Sequence, residues 1–180
     1  MRQALERRDR ASGGERAQLG DLFPRAKAPS GLKLQPDSLA ELRARALRHL
    51  VRREHSRDEL ARKLAPYAES SEVLEGLLRE LESRKQLSNE RFAEARTRQL
   101  ARKYGAARIR HDLKDKGVGA ALVQRVSMDG ELERARAILQ RKYREAATTR
   151  EERAKRARFL QSRGFSYQTI YQAVRIGDDE

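Results

Sequence analysis

The chain has 180 residues, in which 41 Lys and Arg side chains stand against 27 Asp and Glu, a formal net charge of +14. It contains no Cys, which excludes disulfides, thiol nucleophiles and thiolate metal sites. So large a basic excess favours a polyanionic partner, because each cation that neutralises a phosphate releases a condensed counterion. Aromatic residues make up only 5% of the chain, so platforms for base stacking are scarce.

The first 37 residues differ from the rest. They hold three of the four prolines and four of the eleven glycines, mixed with charged residues. This composition predicts a disordered basic arm over 1–37. The chain has no apolar run near the roughly 20 residues that span a bilayer, and its first residues are charged rather than apolar. We therefore expect a cytoplasmic protein.

After Pro36 the apolar residues recur at the spacing of helix faces. The first stripe is Leu39, Leu42, Ala46 and Leu50, and the clearest is Val73, Leu74, Leu77, Leu78 and Leu81. Further stripes continue to Val174 and predict nine helices in all. Because no segment alternates with the period of a strand, we expect no sheet.

Polar residues and glycines mark the predicted helix ends. Two segments fit the capping box, namely Ser56 with Glu59 and Thr149 with Glu152. Single N-caps are predicted at Ser70, Ser88, Asp129 and Ser166. Left-handed helix stops are predicted at Gly105, Gly117 and Gly164.

The sequence repeats itself at an interval of nearly fifty residues. At a shift of 47, the residues Leu113, Gly117, Val118 and Val123 align with Leu160, Gly164, Phe165 and Ile170. At a shift of 49, Leu60 and Leu64 align with Ile109 and Leu113. The pattern predicts an all-α, elongated array of three three-helix repeats over 38–87, 88–128 and 129–177. Units this small bury little alone, so consecutive repeats must pack against each other.

Four separated blocks resemble the RecX family in order and spacing. They are LVRREHSRDELARKL (50–64), LESRKQLSNERFAEA (81–95), YGAARIRHDLKDKGV (104–118) and RFLQSRGFSYQTI (158–170). The resemblance covers roughly 38–176 and leaves the arm outside it. It implies tandem three-helix repeats and binding to RecA and to its filament on single-stranded DNA. It also implies restraint of recombinase, ATPase and coprotease activities, or in some species assistance of the recombinase.

The resemblance implies no catalytic residues and no cofactor, and we expect a monomer with weak, non-specific affinity for DNA alone. No cluster of acid, base and nucleophile and no phosphate-binding glycine loop argues for an enzyme. An autonomous helical DNA-binding protein stays open as the alternative, because three-helix units also describe helix-turn-helix domains. Such a protein would bind DNA tightly, with sequence preference and without RecA.

Charge distribution selects the candidate contact residues. Residues 88–128 carry ten basic and four acidic side chains, a net +6, against +3 for 1–37, +2 for 38–87 and +3 for 129–180. The proposed contacts in the middle repeat are Arg96, Arg98, Arg102, Lys103, Arg108, Arg110, Lys114 and Lys116. Those in the third repeat are Arg153, Lys155, Arg156, Arg158 and Arg163. We expect them to meet phosphates or an acidic RecA surface.

The remaining polar and aromatic residues admit two readings each. His55 either contacts a partner or forms a local hydrogen bond that fixes a helix corner. His49 and His111 lack a second ligand at metal spacing, so we expect no metal site. Five aromatic residues either stack on bases or, as we favour, fill the core. They are Phe92, Tyr104, Tyr143, Phe159 and Phe165.

Overall fold

The computed structural model describes residues 35–175, and the predicted arm lies outside them except for its last three residues. The described chain contains nine α-helices and no strand, as predicted. The helices form three groups of three, each around its own apolar cluster. The all-α repeat architecture is therefore confirmed. Over the same residues, none of the helices combines the length and the apolar character that crossing a membrane requires.

The first repeat contains α1 (Leu39–Arg52), α2 (Arg57–Leu64) and α3 (Ser71–Ser83), with a 3₁₀ turn after α2. Its buried cluster is Leu42, Ala46, Leu60, Leu64, Leu74, Leu77, Leu78, Leu81 and Leu87. Leu39, which belongs to the predicted apolar stripe, is 52% exposed. Asp37, at the end of the predicted arm, contacts this repeat, because its carboxylate pairs with Arg45 at 2.7 Å.

The second repeat contains α4 (Asn89–Ala101), α5 (Ala106–Asp115) and the short α6 (Ala120–Gln124). Its buried cluster is Phe92, Ala93, Ala106, Ile109, Leu113, Val118, Val123 and Val126. Most of the predicted apolar positions of this region are therefore buried, whereas Leu100, Tyr104 and Leu122 are half-buried at the edge of the cluster.

The third repeat contains α7 (Glu131–Lys142), α8 (Arg150–Ser162) and α9 (Tyr167–Val174). Its buried cluster is Ala135, Ile138, Leu139, Leu160, Phe165, Ile170 and Ala173. Equivalent members of the predicted repeat are thus buried in equivalent places. Leu113 and Leu160, for example, are both fully buried.

Most predicted helix ends are confirmed. Thr149 and Glu152 form the reciprocal capping box at the start of α8. Ser56 caps α2 by accepting from the Glu59 N–H, but the box is incomplete because the Glu59 carboxylate pairs with Arg53 instead. The other confirmed caps are Ser70, Ser88 and Ser166. A capping box between Ser38 and Glu41, which the sequence analysis missed, begins α1.

Two predictions of helix ends are wrong. Asp129 does not cap α7, because Gly130 occupies the N-cap position with a left-handed φ of 63°. Gly105 is not a left-handed stop: its φ is −79°, and it stands at the N-cap of α5. Gly117 and Gly164 do adopt the predicted left-handed conformation, with φ of 74° and 77°.

Candidate functional site

The first repeat meets the second at the N-terminus of α2. The buried Ser56 hydroxyl donates to the carbonyl oxygen of Lys116, at the turn between α5 and α6, over 2.6 Å. The Arg57 backbone N–H donates to the side-chain oxygen of Asn89, the first residue of α4, over 2.9 Å. We call this contact the first junction. Two short side chains make these hydrogen bonds, and the ion pairs Glu54–Arg91 and Glu59–Lys116 also join the two repeats.

The second repeat meets the third at the equivalent place, the N-terminus of α5. The Gly105 N–H donates to the carbonyl oxygen of Arg163 at 2.9 Å, and the Ala107 N–H donates to that of Gly164 at 3.2 Å. At this second junction the backbones touch directly, which requires glycine at position 105. A Cβ there would lie 2.3 Å from the Gly164 carbonyl oxygen.

Glu131, the first residue of α7, completes the second junction. Its carboxylate is 2% exposed and accepts from the Ala106 N–H and the Thr169 hydroxyl, both at 2.8 Å, and from the Ser166 N–H at 3.3 Å. Burial alone would raise the pKa of Glu131, but these hydrogen bonds outweigh burial and lower the pKa. Glu131 thus supplies from a neighbouring repeat the cap that Gly105 cannot give α5.

Several of the predicted contact residues are engaged within the protein. Arg96 makes a bidentate pair with Asp112, both bonds at 2.8 Å, and this hydrogen bonding lowers the pKa of Asp112. Arg110 donates to the carbonyl oxygen of Val126, and Lys116 lies 3.8 Å from Glu59. The remaining members of this engaged group are Arg153, Arg156 and Arg163. These cations are bound to carboxylates or backbone carbonyl oxygens of the protein itself, or have another partner within it.

The other predicted contact residues form no such interactions within the described residues. No ion pair, hydrogen bond or ring contact joins their side chains to the part of the chain that the structure describes, and all of them are exposed. They are Arg98, Arg102, Lys103, Arg108, Lys114, Lys155 and Arg158. Free exposed cations are the ones best able to exchange water for phosphate.

A groove between α4 and α7 brings two of these free cations together with two that the sequence analysis missed. We call it the arginine groove. It encloses about 510 Å³ and is lined by Arg98, Ala101, Arg102, Arg134, Ala137, Ile138 and Arg141. Arg134 and Arg141 are seven residues apart on α7, two helical turns along one face, and that spacing was the available signal.

A second basic cluster surrounds aromatic rings of the third repeat. The Lys142 ammonium lies 3.8 Å and the Arg163 guanidinium 4.5 Å from the centroid of Phe159, and Arg156 lies over Tyr143. These two rings, like Tyr104, are only half-buried. Core packing is confirmed for Phe92 and Phe165, which are 3% and 5% exposed. Tyr104, Tyr143 and Phe159 pack at the edge of the apolar cluster of their repeat, and each also has a cation near its ring.

None of the three histidines lines the arginine groove or contacts the rings of the second basic cluster. His55 is 3% exposed, and its Nδ1 lies 3.0 Å from the Arg53 carbonyl oxygen, which is the local hydrogen bond expected at this corner. Its ring contacts that of His49 at 5.6 Å. His111 pairs with Asp115 at 2.9 Å. Across residues 35–175, no three His, Asp or Glu side chains are grouped so as to hold a metal ion.

The third repeat is as basic as the second when the last five residues of the chain are left out of the count. Residues 129–175 carry twelve basic and six acidic side chains, a net +6, which equals that of 88–128. The lower value for 129–180 comes from the three acids at positions 178–180. The two repeats that border the arginine groove therefore share the positive charge.

Family comparisons agree with this division. The model of the third three-helix domain of RecX matches residues 129–174, and that of the second matches 88–126. The regulatory protein RecX of Herbaspirillum seropedicae is 46% identical over 135 residues, which cover 73% of this chain and 88% of that protein. The chain belongs to the RecX family.

Other RecX proteins support the assignment. The regulatory protein RecX of Ralstonia nicotianae is 41% identical over 146 residues, covering 79% of this chain and 92% of its own. The crystal structure of RecX from Lactobacillus salivarius superposes with a TM-score of 0.66 at 19% identity, over 76% of this chain and 94% of that one. That likeness shows the three-repeat RecX fold. The bounds 38–87, 88–128 and 129–177 stay our predictions.

Proposed function

We propose that this RecX-family protein is a non-catalytic, negative modulator of RecA that binds the RecA filament on single-stranded DNA. Binding would alter the filament's ATPase, strand-exchange and coprotease activities in DNA repair and the SOS response. The observation that carries the proposal is the 46% identity to a regulatory protein RecX along most of both chains. A filament repeats the same surface along its axis, so tandem repeats can add modest contacts into useful avidity.

The basic surface supplies the contacts in this proposal. The free cations of α4, of the turn that follows it, and of α5 and α8 would meet phosphates or acidic RecA side chains, and the engaged ones would hold those helices in place. Reversing the charge of Arg102, Lys103 and Arg108 to Glu tests this assignment. We expect weaker filament binding and a flatter dependence on salt, because each lost phosphate contact removes released counterions.

A matched control reverses three exposed arginines of the first repeat, Arg48, Arg52 and Arg62, none of which belongs to the proposed surface. Both variants carry the same change in net charge, so a non-specific effect of charge would weaken them equally. Equal loss in the two variants contradicts the assignment of the surface.

The function itself is tested by ATP hydrolysis of the cognate RecA on single-stranded DNA, with the protein added below the amount that coats the DNA. We expect hydrolysis to fall at these ratios. Binding to naked DNA at the same salt is measured alongside. Unchanged hydrolysis together with tight, sequence-dependent DNA binding would instead identify an autonomous DNA-binding protein.

A further inference from the structure

The arginine groove has the composition of a site rather than of an ordinary helix contact. Arg98 of α4 and Arg102, the residue that ends this helix, line one side, and Arg134 and Arg141 of α7 line the other. Ala101 and Ala137 lie between these walls, so small side chains leave the groove open. Four arginine residues, two from each of two repeats, therefore line one space.

No carboxylate lines this space. Arg98, Arg102 and Arg141 are exposed and form no ion pair or hydrogen bond with the described part of the chain. Elsewhere the protein does pair its arginines: Arg96, also on α4, binds Asp112, and Arg57 binds Glu75 and Glu82. Gathering like charges without acids costs free energy that a bound anion offsets.

One of the four guanidinium groups is also held in position. A terminal nitrogen of Arg134 donates to the Asp129 carbonyl oxygen over 2.6 Å, while its Nε is buried and has no partner within residues 35–175. A cation that is already ordered loses less side-chain entropy when an anion binds. Arg134 thus provides an ordered cation beside three exposed arginines that have no such hydrogen bond.

A neighbouring cavity makes one end of the groove less favourable for an anion than the other. This cavity, of about 460 Å³, shares Arg98, Ala101 and Arg134 with the groove, and three acids, Glu90, Glu94 and Asp129, also line it. These acids repel an anion at the end of the groove that the two spaces share. The end formed by Arg102 and Arg141 has no acid in its lining. An anion is therefore best accommodated there.

We propose that the arginine groove binds the phosphodiester backbone of single-stranded nucleic acid, with Arg102 and Arg141 as its principal phosphate contacts. The inference rests on the proposed function, in which the protein meets the DNA strand of a filament. Guanidinium groups match phosphate oxygens because their parallel N–H groups bind two oxygens at once. The groove offers no aromatic ring, so it reads the backbone and not the bases.

The test is binding of the full chain to a fluorescent oligothymidine strand, and to a strand of the same length with abasic sites, over a series of salt concentrations. We expect R102Q/R141Q to bind both strands at least tenfold more weakly than the unaltered protein at low salt. The slope of log affinity against log salt should become shallower by about 1.4, since each lost single-strand phosphate contact contributes about 0.7.

The matched control is R52Q/R62Q, which removes two exposed, unpartnered arginines from the first repeat. We expect it to keep most of its affinity, and the lysine variant R102K/R141K to lie between the two. Circular dichroism confirms that each variant is folded. Equal losses in both glutamine variants, or binding that requires the bases, would overturn the proposal and leave only general charge attraction or base contacts.

The outcome for the groove is separable from that for RecA. If the unaltered protein lowers RecA hydrolysis but R102Q/R141Q binds both naked strands as well as it does, the groove proposal is wrong and the proposed function stands. If RecA hydrolysis is unaffected while the naked-strand losses appear as expected, the phosphate site stands and the proposed function is wrong.

Discussion

The two junctions occupy equivalent places in consecutive repeats, yet their backbones approach to different distances. At the first, the Ser56 side chain spans the gap to the turn after α5. At the second, Gly105 has no side chain, and its N–H reaches the turn after α8 directly. Position 56 therefore caps its own helix, whereas position 105 leaves α5 to be capped by Glu131.

This difference shows how one repeat unit yields contacts of different strength. Asn89 and Glu131 begin equivalent helices and accept from equivalent backbone N–H groups, those of Arg57 and Ala106. Only Glu131 binds α9 as well, through Ser166 and Thr169. One buried carboxylate thus ties three helices together, and charge-assisted hydrogen bonds are stronger than neutral ones. We expect the second junction to be the more rigid.

The largest effect should come from Gly105→Ala. The new Cβ would collide with backbone atoms of Gly164 and Phe165, which cannot rotate away. We expect a loss of about 3 kcal/mol or more in the free energy of unfolding, measured by urea denaturation. Amide hydrogen exchange should also speed up at Gly105 and Ala107, whose N–H groups cross the junction.

The matched change at the first junction is Ser56→Ala. It removes the cap of α2 and the bond to Lys116, with no collision, so we expect a loss of about 1–2 kcal/mol. If Gly105→Ala proved no more harmful than Ser56→Ala, the backbones would not approach as closely as described.

A second pair of variants compares the acceptors. Glu131→Ala leaves three donors without their acceptor, and we expect the free energy of unfolding to fall by about 2–3 kcal/mol. Asn89→Ala removes one acceptor from a half-buried site and should cost about 1 kcal/mol. Glu131→Gln, which keeps the size of the side chain, should fall between them. Equal losses at positions 89 and 131 would contradict the three-helix role of Glu131.

Much of the fold was predictable because its signals are local. Helix faces follow from the spacing of leucines a few residues apart, and caps such as Ser70 act on an amide three residues away. The prediction for Gly105 failed for the opposite reason. A glycine before a helix and a glycine after one look alike in sequence, and only the turn at Gly164, far along the chain, explains this one.

The candidate site was predictable in composition but not in geometry. Counting charges selected Arg96 and Arg102 alike, although Arg96 is tied to Asp112 and Arg102 is free. Which cation finds a partner depends on how the helices pack, and a charge count does not contain that information. Arg134 and Arg141 were missed because the charge count drew attention to residues 88–128 and to the basic group before Gly164, and not to one face of α7.

The smallest effects should appear in the dependence of stability on pH. The two junctions should respond to acid in different pH ranges. Burial lowers the pKa of His55 below its usual 6.5, and burial together with the charge of Lys63 lowers that of His49. The unfolded chain therefore takes up these protons first, so stability is lost as pH falls below 6.5. The lowered pKa of Glu131 has the same sign, but its effect begins only below 4.5.

Acid should consequently weaken the first repeat before it weakens the second junction. We expect the unfolding free energy of the unaltered protein to fall as the pH drops below 6.5, and to fall less in His55→Gln. Glu131→Gln should keep this first decline. It should lose part of the decline below 4.5, because the glutamine amide does not titrate as the Glu131 carboxylate does. His55 adjoins Ser56, so the decline that begins at pH 6.5 tests the first junction. If Glu131→Gln removed this decline and His55→Gln left it intact, the acid-sensitive contact would lie at the second junction instead.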